Sequence, residues 1–181
     1  MGKRSDEPST GMEVFKTYKQ RGEWVELLFM TRAAKRGFVV SKPWGDSAQY
    51  DVGIEEGGRY MRVQVKGTEC REGNGYSCVL DSGKRKGYTA EDVDYLAIYL
   101  LPEDIWYIFP VSRVEGQRGV MMSPNQPGSV HARYQEAWEL LESRGPAAGA
   151  AMAELQADRA RRRCRRLDLP DAPLTGEHGK S

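Results

Sequence analysis

Between residues 50 and 66 the chain has room for little except a β-hairpin. Tyr60, Arg62, Gln64 and Lys66 alternate with Met61, Val63 and Val65. That period of two turns one set to a wet face and the other to a core. A second extended run, residues 50–54, precedes it, and Glu55-Glu56-Gly57-Gly58 joins the two. Paired glycines supply the positive φ of a tight hairpin turn. Pairing across that turn brings Asp51 close to Gln64 and Lys66 on a shared face.

Such a face has a chemical use. Magnesium demands hard oxygen ligands and keeps several waters of its own. The Asp51 carboxylate, the Gln64 side-chain carbonyl and the Val65 backbone carbonyl supply a protein share of that shell. A lysine beside the metal orients a water or stabilises charge at a phosphate in the transition state. The plain alternative is that Gln64 and Lys66 are the solvent-facing residues of a half-wet strand, which is ordinary in antiparallel sheets.

Around the hairpin the chain reads as one domain with tails: residues 1–11 disordered, 12–144 folded, and 145–181 a linker, an arginine-rich helix and a disordered end. Thr10 and Glu13 predict a capping box for a helix starting near Met12. Phe15, Tyr18, Trp24, Val25, Leu27, Leu28 and Ala34 fall largely on one side of it, and Gly37 ends it. A short apolar run at 38–40 follows. Further strands are expected at 76–80, 95–101 and 105–110. The apolar spacing of Tyr134, Ala137, Trp138 and Leu141 predicts an amphipathic helix over 131–144, with His131 at its start. After the linker at 146–149, residues 152–167 read as helical. Trp24, Trp106 and Trp138 fall in apolar patterns and are expected in the core, while Trp44, in the Pro43-Trp44-Gly45-Asp46 turn, is expected to cover the sheet edge, with a nucleic-acid contact as the alternative. Helix, strands, then helices make an α/β (α+β) fold with a central sheet.

The net charge of +1 neither favours nor excludes a nucleic-acid partner. Its distribution says more, because residues 159–166 (RARRRCRR) include Arg161, Arg162 and Arg163 in a dense basic tract. A local positive tract contacts phosphate even in a neutral chain. Lys84, Arg85 and Lys86, in a loop over 81–88, form a second one. The ordinary reading of both is a solvated charged surface, and arginines at a helix C-terminus also suit its dipole. Cys70, Cys78 and Cys164 have no C-x-x-C spacing and are odd in number, against a disulfide framework or a structural zinc site. No apolar run approaches the ~20 residues of a membrane span, and the first residues show no apolar signal region. A cytoplasmic, membrane-free protein is expected.

With these residues in place the chain resembles the PD-(D/E)-x-K nuclease superfamily, and within it the homing-endonuclease-like branch associated with group I introns. The matching pieces are Arg21-Gly22-x-x-x-Glu26, Tyr50-Asp51 and Gln64-Val65-Lys66-Gly67-Thr68, with Val93-Asp94-Tyr95-Leu96-Ala97-Ile98-Tyr99 and Ile105-Trp106-Tyr107-Ile108-Phe109-Pro110 downstream. In that branch a Q-x-K ending replaces the usual acidic-x-K. The resemblance covers roughly residues 20–112. It implies a restriction-endonuclease-like core, a mixed sheet of four or more strands flanked by helices, and cutting of double-stranded DNA with magnesium, manganese being a substitute. By position Asp51 is the main metal ligand, Gln64 the second and Lys66 the residue serving the attacking water. Glu26 completes the shell from the helix, with Glu23 as the fallback one turn away. One such site cuts one strand, so duplex cleavage favours a homo-oligomer, a dimer or larger.

Two departures from the family pattern bear on function. Tyr50 stands in place of the name-giving proline. Gln64 adds no charge attraction to a divalent cation, which supports a competing reading as a nuclease-fold module that binds DNA or protein without cutting. A Holliday-junction resolvase-like enzyme is the other competitor, and there an acidic residue stands where this chain has Gln64.

Overall fold

The computed structural model describes residues 15–45, 47–80, 87–124 and 126–142. The basic residues Lys84, Arg85 and Lys86, the tract with Arg161, Arg162 and Arg163, Cys164, and the expected linker and helix beyond residue 144 lie outside them.

Helix α1 (Tyr18–Lys35) begins later than the sequence suggests, since Phe15, Lys16 and Thr17 are not helical. Thr17 is the cap: its Oγ1 accepts the Gln20 N–H at 3.1 Å, while Gln20 Oε1 accepts the Lys16 N–H. At the other end Gly37 takes φ +92°, in the left-handed region where a side chain is strained. Phe38 N–H reaches Ala33 O and Gly37 N–H reaches Ala34 O, a Schellman closure that leaves Phe38 buried.

The buried face of α1 is narrower than expected. Val25, Phe29 and Ala33 are buried at a spacing of four, whereas Tyr18, Leu27 and Ala34 are exposed and Trp24 is 37% exposed. Close packing explains it. A Cβ added at Gly67 falls 2.9 Å from a Val25 methyl, so the helix lies almost on the strand along the Val25–Phe29–Ala33 ridge, with Leu28 and Met30 only partly buried beside it.

The main sheet has the order β1 (Val39–Ser41), β2 (Val52–Glu56), β3 (Arg59–Thr68), β6 (Tyr95–Leu100), β7 (Ile105–Pro110). Every neighbouring pair is antiparallel except β3 and β6, which makes the sheet mixed. A second sheet joins β4 (Arg71–Glu72), β5 (Gly75–Val79) and β8 (Gly119–Met122). The predicted hairpin is β2–β3, with Gly57 and Gly58 both at positive φ in its turn. Along β3, Met61, Val63 and Val65 are buried and the residues between them are not, as the alternation requires. β6 is buried throughout, which fits a strand covered on both faces. Beyond Lys66 the chain stays extended: β3 runs on to Thr68, and β4 pairs with β5.

Aromatic packing closes one side of the sheet. Phe29 stacks on Trp138 at 5.4 Å and meets Trp106 edge-on at 5.3 Å, while Trp106 lies 4.7 Å from Tyr99. Trp106 and Trp138 are thus core residues as expected, and half-exposed Trp24 is not. Trp44 is 99% exposed and covers nothing.

The helix expected over 131–144 does not form. Two 3-10 turns, Ala132–Tyr134 and Trp138–Leu141, are separated by extended Gln135 and by Glu136 at φ +49°. The edge of β7 imposes this. Glu136 N–H donates to Trp106 O at 2.7 Å, and Trp106 N–H donates back to Glu136 Oε1 at 2.6 Å. Gln135 bridges Tyr107, so this segment satisfies a strand edge that would otherwise be bare. His131 stands at the N-cap position of the first turn without a side-chain capping bond, and its ring meets Phe109 edge-on. Among the described residues no helix is long and apolar enough to cross a membrane.

Candidate active site

β2 begins at Val52, opposite Val63, whereas β3 runs on to Thr68, so the β2 side of β3 lies open at Val65. In the register Val52 opposes Val63, which places Asp51 opposite Gln64. The backbone of Arg62 turns toward β6, where its carbonyl accepts the Asp94 N–H at 2.8 Å. By the same alternation the backbone groups of Val63 and Val65 turn toward β2. Val63 O accepts the Asp51 N–H at 3.0 Å. Val65 has no β2 residue to meet, and its N–H donates instead to Asp51 Oδ2 at 2.8 Å.

Asp51 is therefore anchored through one oxygen. Gln64 Nε2 donates to the same Oδ2. No hydrogen bond from a described residue reaches Oδ1. The amide that holds Asp51 leaves its own Oε1 turned away from the carboxylate. Burial, and then repulsion from Glu26, push the Asp51 carboxyl up from 3.8 to about 6 against the pull of the Val65 N–H, Lys66 and Lys42. The electrostatics thus bring Asp51, Glu26, Lys66 and Lys42 into one neighbourhood.

Glu26 points into that neighbourhood from α1 with 19% of its side chain exposed, and Lys42 Nζ lies 2.6 Å from its Oε2. Glu23, the fallback, is 55% exposed and pairs with Lys19 on the outer surface. Lys66 extends from the same face of β3 as Gln64, with its ammonium 5.5 Å from the Tyr88 ring. Tyr88 is buried, and burial together with the Asp51 charge pushes its phenol up to about 12.

Two residues of this cluster escaped the sequence reading. Lys42 precedes a Pro-Trp-Gly turn and carries no spacing signal toward a glutamate 16 positions earlier. Tyr88 follows a basic loop and reads as an ordinary loop aromatic. Only the three-dimensional packing brings them to Glu26 and Lys66.

As a donor set this suits a hard cation. Asp51 Oδ1, the Gln64 amide oxygen and the Val65 carbonyl are oxygens at one strand edge, and the Glu26 carboxylate, from α1, is near enough to raise the Asp51 pKa. No group of three or more His, Cys, Asp or Glu residues gathers anywhere among the described residues. Any metal shell here therefore draws on an amide and a backbone carbonyl as well as two carboxylates, and Lys66 stands beside it.

Comparison with known proteins converges on the same strands. The family model described as PD-(D/E)XK endonuclease matches residues 16–141. The structure of a bacterial homing endonuclease, I-Ssp6803I, is similar over 72% of this chain and 97% of that one, with 25% identity and a TM-score of 0.62. Hjc, a Holliday junction resolvase from the archaeal hyperthermophile Archaeoglobus fulgidus, matches 67% of this chain and 95% of its own at 20% identity and a TM-score of 0.48. Among curated proteins no relative matches. The five-stranded mixed sheet with its flanking helix is a restriction-endonuclease-like fold.

Proposed function

Because the chain belongs to the PD-(D/E)XK endonuclease family, we propose that it is a magnesium-dependent DNA endonuclease that hydrolyses phosphodiester bonds at the Asp51 edge of β3. The observation that carries this reading is the anchoring of Asp51. The Val65 N–H and the Gln64 amide fix one carboxylate oxygen and leave the other open, beside Glu26 and Lys66.

In this reading Asp51, Gln64, Val65 and Glu26 hold the cation. Gln64 would do so with its amide oxygen while its amide nitrogen steadies Asp51, a double use open to a neutral amide. A third carboxylate at that position would repel Asp51, whose ionisation burial already disfavours. When bound, magnesium polarises the scissile phosphate and lowers the pKa of the attacking water. Lys66 orients that water and balances charge on the phosphate. The basic groups Lys84, Arg85, Lys86, Arg161, Arg162 and Arg163 supply phosphate contacts that position DNA without reading its sequence. Two copies related by a twofold axis would place one site on each strand.

The test is cleavage of supercoiled, linear and branched DNA by the purified full chain, with magnesium or manganese against EDTA. Metal-dependent nicking is the expected result. A protein that binds DNA but cuts no substrate in either metal overturns the enzymatic part and favours the non-cutting module.

Metal binding should also depend on pH in a stated direction. The Asp51 carboxyl, held at about 6, must lose its proton before a cation can bind its open oxygen with full charge attraction. The rise in melting temperature caused by millimolar magnesium is therefore expected in full near about pH 7.5 and lost as pH falls through about 6. Equal shifts at about pH 5 and about pH 7.5 would remove Asp51 from the ligand set.

A further inference from the structure

A cavity of about 360 Å³ opens beside Lys66, between the start of α1, the end of β3 and β5. Gly22, Lys66, Gly67, Thr68, Cys70 and Ser77 contribute to its lining. It lies at the lower end of the roughly 300–1,000 Å³ range of small-ligand pockets, room for one nucleotide unit rather than a folded ligand.

Its two glycines differ in what they explain. Gly67 has a packing reason, since a Cβ there collides with Val25 and with Leu101 at 3.1 Å. Gly22 has none. It lies inside α1, where glycine is a poorer choice than alanine because the unfolded backbone loses more freedom. A Cβ added to it meets nothing within 4 Å. Neither packing nor a positive φ demands glycine at this position, and it lines the same cavity as Lys66.

The polar wall is suited to a sugar-phosphate strand. Thr68 Oγ1 is already committed, donating to Ser77 O at 2.6 Å and accepting the Cys70 N–H at 3.1 Å. The Ser77 hydroxyl donates to the Cys70 sulfur at 3.4 Å, and a thiol sulfur is a weak acceptor that a phosphate oxygen readily displaces. A hydroxyl held by so weak an acceptor, on a cavity wall that Lys66 shares, is a ready donor to a phosphate oxygen.

We infer that Gly22 is kept free of a side chain so that the nucleotide next to the scissile phosphate can pass through this cavity, against Ser77 and under α1. The inference rests on the nuclease reading above and adds to it a seat for the cut strand. Gly22 is a positioning residue in this account: it touches no reacting atom, and its role is clearance.

Gly22→Ala and Gly22→Leu, made in the full chain, test it. Binding is read by fluorescence anisotropy on duplex DNA at low salt, with calcium in place of magnesium so that no cutting intervenes. Both variants are expected to melt at or above the wild-type temperature. Gly22→Leu should weaken the Kd by roughly tenfold or more, with Gly22→Ala in between. Stable variants that bind and cut like the wild type overturn the inference and leave the nuclease reading intact. If the wild type binds no DNA at all, the nuclease reading falls, and the inference with it. Should Gly22→Leu fail to fold, Cys70 in the wild type decides the matter. Its exposed thiol lies in the cavity, whereas Cys78 is buried with its thiol pushed up to about 11. Bound duplex must slow alkylation of the Cys70 peptide several-fold, and an unchanged rate overturns the inference.

Discussion

At about pH 7.5 in magnesium, Asp51→Asn should cleave DNA at least about 100-fold more slowly than the wild type and yet melt at a higher temperature. The two halves have one cause. Asparagine keeps an oxygen for the Val65 N–H and the Gln64 amide, so the local hydrogen bonds survive. It removes the charge that would hold a cation, and with it a carboxylate that the folded state accommodates poorly. Holding that carboxyl at about 6 rather than 3.8 makes its ionised form unfavourable by about 3 kcal/mol at neutral pH. The sign follows from linkage: the folded pKa is raised, so the relative stability of the wild type is greatest below about 3.8 and declines as pH rises through about 6. Asp51→Asn should therefore gain about 1–3 kcal/mol at about pH 7.5, a rise of roughly 2–10 °C in Tm, and no advantage near about pH 4. Magnesium should raise the melting temperature of the wild type and leave the variant unmoved. Lys66→Ala serves as the contrast: it should lose cleavage as severely, but without gaining stability, because the lysine is favourably placed beside Asp51. Full cleavage by Asp51→Asn would remove the residue from the chemistry. Lost cleavage with a lowered Tm would mean that Asp51 is mainly structural.

The hairpin that presents Asp51 was legible because its information is local. Alternation from Tyr60 to Lys66 and two glycines at the turn fix which residues share a face, and the register then sets Asp51 against Gln64. Glu26 was legible only through the family motif, since its neighbours on α1 do not mark a face. The helix face itself was misjudged. Tyr18 and Leu27 fit a helical apolar stripe but lie outside the single ridge that Gly67 lets approach the sheet. The segment around residue 135 failed for the opposite reason. Tyr134, Ala137, Trp138 and Leu141 are all buried, as their spacing suggested, yet the backbone pairs with the edge of β7 through Glu136 rather than with itself. Burial can be read from a pattern, but the choice between a helix turn and a strand edge depends on a partner more than twenty residues away.

The same dependence on distant partners sets the second large effect, at the junction where β3 meets β6. Asp94, 5% exposed, precedes β6 and accepts from both the backbone and the side chain of Arg62. Arg62 is satisfied further by the carbonyls of Ala90 and Glu91, and the Asp94 N–H returns a bond to Arg62 O. This network ties down the one parallel strand pair of the main sheet, whose connection is long and gains no support from a hairpin turn. Exposed pairs such as Lys19–Glu23, at 4.0 Å, contribute almost nothing by comparison. Asp94→Ala leaves the Arg62 guanidinium without its buried counter-charge and the Arg62 N–H without an acceptor. The expected loss is about 3–5 kcal/mol, or roughly 6–20 °C in Tm for a chain of this size. Asp94→Asn keeps an acceptor of the same shape and should fall between the two proteins. Both are read by thermal and urea melting at about pH 7.5. A loss below about 1 kcal/mol for Asp94→Ala would mean that water replaces the carboxylate at Arg62 and that burial of the strands alone holds the β3–β6 pair.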